Sequence, residues 1–304
     1  MKNNKIYLNN RKVLKVSGTK AVAFLNNILT ADLSLLKPNE VIASALLTPQ
    51  GRILFDMLLS LEIKEHKVDY NSLLVECDEL QLDGLFKRIS LYNLRKEVNI
   101  EITNLKVFVI NEIANDASKL SDKRFLNLQI SRFYKVSLDS GDFLNYEEHE
   151  SLNWYNFYRY TYCIAEGPVE ISSGTSLPLE INFDLIGAIS FNKGCFIGQE
   201  VNARIKWKGL IKKKYVPVEL VIDNPTAKEI NLKSDRKIFF EDNNIGELVE
   251  MKYFKQQNNF YGLANIKLNY LYKFENDNSL LCEFQNLKMK INFPDYMLPL
   301  PKKL

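Results

Sequence analysis

The residues whose types and spacing invite chemistry lie in one run, Phe191-Asn192-Lys193-Gly194-Cys195-Phe196-Ile197-Gly198-Gln199-Glu200, where a single thiol stands between two glycines behind a lysine. Thiolate is the form of cysteine that attacks electrophiles and binds metals, and a cationic neighbour, here Lys193, favours it. A helix opening at Gly198 or Gln199 would bring unpaired backbone N–H groups, the positive end of its dipole, near the sulfur and favour thiolate further. The structural alternative is a buried, inert cysteine in a Gly-rich turn, which is the commoner state of a free thiol. The other cysteines, Cys77, Cys163 and Cys282, are far apart and form no Cys-x-x-Cys pair. Neither a zinc knuckle nor a disulfide framework is indicated, and a reducing compartment is expected. His66 and His149 are the only histidines and lie far from each other and from Cys195 in sequence, so no metal site is expected and both are placed on the surface.

Charge narrows little. The 40 basic and 37 acidic residues leave +3, a balance that by itself implies neither nucleic-acid binding nor attachment to an anionic membrane. Lys206 to Lys214 does gather five lysines around Trp207. Such a run can meet an anionic tail or RNA, but a solvated entrance to a strand is the preferred reading. Met1 to Asn10 lacks the apolar region of a secretory signal, and no run of about 18 apolar residues occurs. A soluble, cytoplasmic protein with no membrane partner is expected.

The elements that must hold these residues follow from periodicity. With 304 residues, 46% of them apolar, the chain can bury more than one core. Lys12 to Val16 alternates as a strand, and after Ser17-Gly18 the residues Ala21, Phe24, Leu25 and Ile28 share one helical face. Val41 to Leu47 and Arg52 to Leu59 flank Thr48-Pro49-Gln50-Gly51, a proline–glycine turn that predicts a β-hairpin. Ser72 to Glu76 reads as a strand, Leu82, Leu85, Phe86 and Ile89 as the buried stripe of a helix, and Val98 to Ile102 and Val107 to Ile110 as strands. Residues 111–150 are polar and irregular apart from one short alternation, Leu126 to Ile130, and are taken as a variable connector. Trp154 to Cys163 has a helical, aromatic pattern. Beyond Lys214, six short runs parted by Asn, Asp, Pro and Gly predict a small antiparallel barrel. The expected division is 1–213, with two α+β subdomains, and 214–304, the barrel.

Lys193-Gly194-Cys195-Phe196-Ile197-Gly198-Gln199-Glu200 resembles the Lys-Gly-Cys-Tyr-x-Gly-Gln-Glu signature of the YgfZ family, with Phe196 in the tyrosine's place. The similarity extends through Val16-Ser17-Gly18 with Phe24-Leu25, Leu29-Thr30-Ala31-Asp32-Leu33, Leu46 to Asp56, Glu180-Ile181-Asn182-Phe183-Asp184, and Ala203-Arg204 before Gly209. The resemblance implies an α+β protein with the three-subdomain ring of the aminomethyltransferase (glycine cleavage T-protein) fold, holding a folate centrally and ending in a small antiparallel β-barrel. It implies tetrahydrofolate, or a one-carbon derivative, as cofactor. Glu180 falls where the T-protein relatives face the pterin with a carboxylate. Trp154 or Tyr155 falls near a folate-stacking aromatic, and Arg159, Arg204 and Lys193 are candidate basic contacts.

The T-protein carries paired aspartates on its hairpin, the first assisting one-carbon transfer. Here the matching pair reads Phe55-Asp56, and a phenyl ring can neither orient nor accept a proton. Asp56 is read as a hairpin cap or strand-end partner. The resemblance therefore implies a tetrahydrofolate-binding accessory protein for maturation or repair of [4Fe-4S] proteins, including radical-SAM enzymes that modify tRNA. In that reading Cys195 is the functional thiol, and client or assembly proteins are transient partners. A folate-dependent aminomethyltransferase or demethylase is the enzymatic alternative, and a folate-storing scaffold a third.

Overall fold

Val13, Leu14 and Val16 are buried in one strand and Leu73, Leu74 and Val75 in its neighbour, so both faces of this sheet contribute to packing. The computed structural model describes residues 5–112, 119–137, 148–221, 235–273 and 279–301, with side chains of 148–153 and 279 excepted. The chain divides into two units. The first takes in Met1–Leu152, Glu166–Ser176 and Ile186–Val201; the second Asn153–Ala165, Leu177–Leu185 and Asn202–Leu304.

The first unit is built on strands β1 (Lys5–Tyr7), β2 (Arg11–Ser17), β3 (Glu40–Leu47), β4 (Ile53–Lys64), β5 (Lys67–Asp78), β6 (Asn99–Ile102), β7 (Lys106–Asn111), β8 (Leu120–Asp122) and β9 (Ile130–Lys135). Among the described residues these form one sheet in the order β1-β7-β9-β8-β3-β4-β5-β2-β6, antiparallel except where β3 meets β8. The helices α1 (Ala21–Ile28) and α2 (Leu82–Tyr92) bury Ala21, Leu25, Ile28, Leu85 and Ile89 against Leu14, Leu59, Leu73 and Val75. The β3–β4 hairpin forms where the turn residues require it, with Gly51 at φ +78. Its β4 strand continues past Leu59 into a second hairpin with β5, whose turn puts exposed His66 at φ +63. The side chain of His149 lies outside the described residues.

The described part of the 111–150 segment contains β8 and β9 rather than an irregular connector. Leu126 to Gln129 is turn rather than strand, and β9 begins at Ile130. The hydrophobic period fails to show β9 because Arg132 is one of its fully buried residues. Residues 113–118 and 138–147 of that segment lie outside the described residues.

The second unit holds α3 (Glu148–Thr161) from Asn153 onward, and a closed barrel of β10 (Lys213–Val221), β11 (Lys237–Phe240), β12 (Asn243–Phe254), β13 (Asn259–Lys267), β14 (Ser279–Phe284) and β15 (Leu287–Asn292). All barrel pairings are antiparallel, in the order β10-β13-β12-β11-β14-β15. Closure leaves no strand edge to pair with another chain. Phe157 of α3 packs edge-on against Phe254 and Tyr261 of the barrel, at 5.7 and 5.0 Å between centroids. Among the described residues no helix is long and apolar enough to cross a membrane.

Candidate functional site

Cys195 sits at the exposed apex of a loop of the first unit that is anchored on both flanks. Upstream, Thr30 Oγ1 donates to Ala188 O at 2.7 Å and Ser190 N donates to Thr30 O at 2.9 Å. Lys193 Nζ then donates to the carbonyls of Leu29 at 2.8 Å and Ala31 at 2.6 Å, in the segment that follows α1. The same ammonium lies 5.2 Å from the centroid of the Phe196 ring, which is buried. Burial pushes the Lys193 ammonium down to about 8, with Asp32 acting in the opposite sense. Its charge is thus spent on the loop it belongs to.

Downstream, Gly198 adopts φ +76 and lies directly on the β3–β4 turn. A Cβ there would stand 2.5 Å from Thr48 O and 2.8 Å from Gly51 Cα. Gly198 is needed for that approach, and Gly51 for its own left-handed backbone at φ +78. Gly194, by contrast, has nothing within 4 Å of where its Cβ would be. The helix α5 (Gln199–Trp207) opens at Gln199, one of the two starts that would bring free N–H groups near the thiol. Buried Cys163 accepts a hydrogen bond from Asn182, and burial pushes the thiols of Cys77 and Cys282 up to about 12. The buried, inert alternative therefore describes the other three cysteines, and Cys195 alone among the four is exposed.

Asp56 is neither a hairpin cap nor at a strand end. It lies within β4, buried, with Oδ1 accepting from Gln81 Nε2 at 3.1 Å and Oδ2 from the Gly167 N–H at 3.0 Å. Burial raises its carboxyl above the ordinary value, against the opposing pull of Arg11, Gly167 and Gln81. Phe55 faces α2, where the missing Cβ of Gly84 would stand 3.0 Å from its ring. Asp56 thus ties α4 (Gly167–Glu170) to the sheet, and Phe55 fills core. Asp56→Ala leaves both donors without that acceptor, and a loss of about 1–3 kcal/mol is expected in urea denaturation. An unchanged midpoint would remove Asp56 from this role.

In the second unit Glu180 is half-buried, its backbone carbonyl accepting from Tyr215 N of β10 at 2.7 Å. Asn182, fully buried at φ +65, donates to Tyr215 O at 3.1 Å. Lys214 is buried beside them, donating to Leu179 O at 3.2 Å with Asp184 at 3.9 Å. The Glu180 to Asp184 run is thereby wired to the start of the barrel. Trp154 is half-buried and edge-on to Tyr155 and Tyr158 at 6.1 and 6.0 Å, and its buried indole Nε1 has no hydrogen-bond partner among the described residues. Tyr155 is buried. Arg159, also buried, donates to Ile164 O and Asn156 Oδ1 and lies 5.7 and 5.2 Å from the Tyr155 and Tyr160 rings. Arg204 is exposed in the last turn of α5. The structure therefore groups Lys193 with Cys195, and Trp154, Tyr155 and Arg159 on one helix.

Sequence reading misses a six-membered ionic network in the first unit. Glu76 takes Arg11 at 2.8 Å and Arg132 at 2.7 Å; Asp122 takes Arg132 at 2.9 Å and Arg124 at 2.6 Å; Glu166 takes Arg124 at 2.5 Å and Arg132 at 3.2 Å. Three guanidinium groups balance three carboxylates, which is how charges are held inside a protein. The available signal was the polar residues punctuating strand-like runs, as in Ile130-Ser131-Arg132-Phe133.

No family model matches the chain. Over 97% of its length it superposes on 86% of the glycine cleavage system aminomethyltransferase T from Bartonella henselae, with a TM-score of 0.65 at 12% identity, which establishes the fold. The mitochondrial iron-sulfur cluster assembly factor IBA57 of Homo sapiens is 30% identical over 241 residues, covering 72% of this chain and 67% of the human protein. The Mus musculus protein of the same name is also 30% identical, with coverage of 70% and 65%. The Chaetomium globosum homologue is 30% identical, with coverage of 71% and 56%. The chain thus spans between about half and two thirds of these relatives. On the aminomethyltransferase fold and this level of identity to the human protein, the chain belongs to the IBA57/YgfZ family of iron-sulfur cluster assembly factors.

Proposed function

We propose that the protein is a tetrahydrofolate-binding accessory factor for the assembly or repair of [4Fe-4S] proteins, with Cys195 as its working thiol. The observation that carries this reading is the contrast among the cysteines: three are buried, while Cys195 is exposed on a loop fixed through Lys193, Phe196 and Gly198. Such anchoring holds a reactive atom in place without enclosing it. A [4Fe-4S] cluster takes about four thiolates, and no group of three or more His, Cys, Asp or Glu arranged for a metal occurs among the described residues. The cluster is therefore cargo, touched by Cys195 together with thiols of a client or assembly protein, such as a radical-SAM enzyme acting on tRNA.

The residues of the second unit suit a folate. A pterin is flat and bears both donors and acceptors, and a half-buried indole with an unsatisfied N–H offers it a ring face and a donor. Glu180, half-buried and fixed through its backbone, would accept from the pterin N–H groups. Tyr155 and Arg159 would support Trp154 on their shared helix, while Arg204 would meet the anionic tail. Lys193 would act only through the Cys195 loop. Aminomethyl transfer is disfavoured because Phe55 stands in the core and both oxygens of Asp56 are engaged structurally.

Complementation separates the two parts. In a strain lacking its own family member, Cys195→Ser is expected to leave [4Fe-4S] enzyme activity unrestored while tetrahydrofolate binds with unchanged Kd in calorimetry. Glu180→Gln is expected to weaken tetrahydrofolate about tenfold, the loss of one charge-assisted hydrogen bond. Full restoration by the serine variant would sink the thiol role. Unaltered folate affinity in the glutamine variant would sink the pterin contact.

A further inference from the structure

The lysine-rich run after α5 has a structural consequence that the thiol loop and folate residues do not account for. The helix ends in a Schellman motif: Leu210 N donates to Ile205 O at 3.0 Å and Gly209 N to Lys206 O at 3.3 Å, with Gly209 at φ +59. The turn carries the chain into β10 along one wall of a cavity of ≈ 460 Å³, lined by residues 209–213 and, opposite, by Lys267, Leu268, Asn269 and Tyr272. All of these lie in the second unit. That volume is within the range of sites that take a ligand group or an anchoring side chain. Leu210 is 50% exposed and Trp207, on the last turn of α5, 64% exposed. Of the two, Leu210 lines the cavity, so its exposed side chain adds apolar surface at the cavity mouth.

Among the described residues that line the cavity the charge is one-signed. No Asp or Glu occurs from Val201 to Val218 or from Met251 to Lys273, the stretches that supply both walls, whereas the first alone holds Arg204 and Lys206, Lys208, Lys212, Lys213 and Lys214. Lys213 and Lys267 are direct cross-strand partners between β10 and β13, and both line the cavity. Like charges facing across an antiparallel pair destabilise a sheet. Lys267 Nζ is held by Asn244 O at 2.6 Å, which fixes the second charge rather than neutralising it. Lys214, on the alternate face, turns inward to Leu179 O and Asp184 and adds nothing to the rim. Two like charges at this cross-strand register, beside half-exposed Leu210, form a pairing that sheets disfavour and that a binding surface for an acidic group can use.

We infer that this cavity is the docking site for an acidic segment of a partner protein that inserts one apolar side chain between Leu210 and Leu268 while its carboxylates meet Lys213 and Lys267. A protein segment fits better than nucleic acid because the cavity offers an apolar volume, with basic groups only at its edge. The inference is independent of folate binding and of Cys195.

The test uses fluorescence anisotropy on the full chain with a labelled oligoglutamate peptide carrying a central leucine-phenylalanine pair. Controls are the same peptide with alanines at the pair and an oligouridylate of equal charge. The anchored peptide is expected to bind about tenfold tighter than the alanine peptide, and Lys213→Glu and Leu210→Glu each to weaken it about tenfold. Lys255→Glu, in the turn at the other end of the β12–β13 hairpin, makes the same charge change and is expected to leave affinity unchanged. Lys213→Gln is expected to lose affinity while Tm stays level or rises. Equal binding of both peptides, tighter binding of the oligouridylate, no effect of Lys213→Glu, or a lowered Tm in Lys213→Gln would each overturn the proposal.

Discussion

Arg132→Met is expected to lower the unfolding free energy by about 3–5 kcal/mol, the cost of leaving buried charges without their partner. Both Arg132 and Glu76 are 0% exposed, and Arg132 bonds to Glu76, Asp122 and Glu166 at once. Methionine keeps the packing of the aliphatic stem, so the loss comes chiefly from the guanidinium and the carboxylates it leaves unpaired. The comparison that isolates burial is Lys20→Met, which breaks an exposed pair with Glu97 and is expected to leave the urea midpoint unmoved. A loss below about 1 kcal/mol for Arg132→Met would place this network in the range of surface pairs and refute its role. The network also sets an acid limit. Burial alone would raise the Asp122 carboxyl, but Arg124 and Arg132 bring it below its ordinary value of 3.8. A depressed carboxylate contributes stability above its unfolded pKa and loses it as pH falls through the folded one. Stability from Asp122 is therefore expected to persist at neutral pH and to drain away below about 3.8, and Asp122→Asn should flatten that acid limb.

Gly198→Ala is expected to be the most damaging single-methyl change in the thiol loop. It combines a left-handed backbone, costing about 1–2 kcal/mol for a residue with a Cβ, with overpacking of about 1–3 kcal/mol against Thr48 and Gly51. The hard neighbours are backbone atoms of a tight turn, at 2.5 and 2.8 Å, so relief requires moving the β3–β4 turn or the loop itself. Gly194→Ala, one residue before the thiol with open space around it, is expected to be nearly neutral. Native alkylation gives a second readout, since Cys195 alone among the four cysteines is exposed. Gly198→Ala should change the alkylation rate of Cys195, and Gly194→Ala should not. Equal stability and equal labelling in the two variants would mean that the loop is not anchored through Gly198.

Much of the site was legible because it is made of local signals. The proline–glycine turn, the alternation of the barrel strands and the glycines around Cys195 each impose a backbone choice within a few residues. Other features were hidden for a physical reason. A buried arginine looks solvent-facing to any hydrophobic pattern, so the short alternation of Leu126 to Ile130 stops where β9 begins, and the pattern does not show the strand around Arg132. Asp56 was read as a local cap because its partners, Gln81 and Gly167, are brought to it only by the packing of α2 and α4 on the sheet.

The amino-acid order by itself determined the β3–β4 hairpin, the helices α1 and α2, the barrel, and the presence of one thiol in a glycine-framed loop, since these depend on torsional preference and hydrophobic period. Only the tertiary structure decided that this thiol is exposed while three others are sealed, that Lys193 serves the loop, and that six charges neutralise one another inside the first unit. Solvent access and charge pairing are properties of distance between residues remote in the chain, and no local pattern encodes that distance.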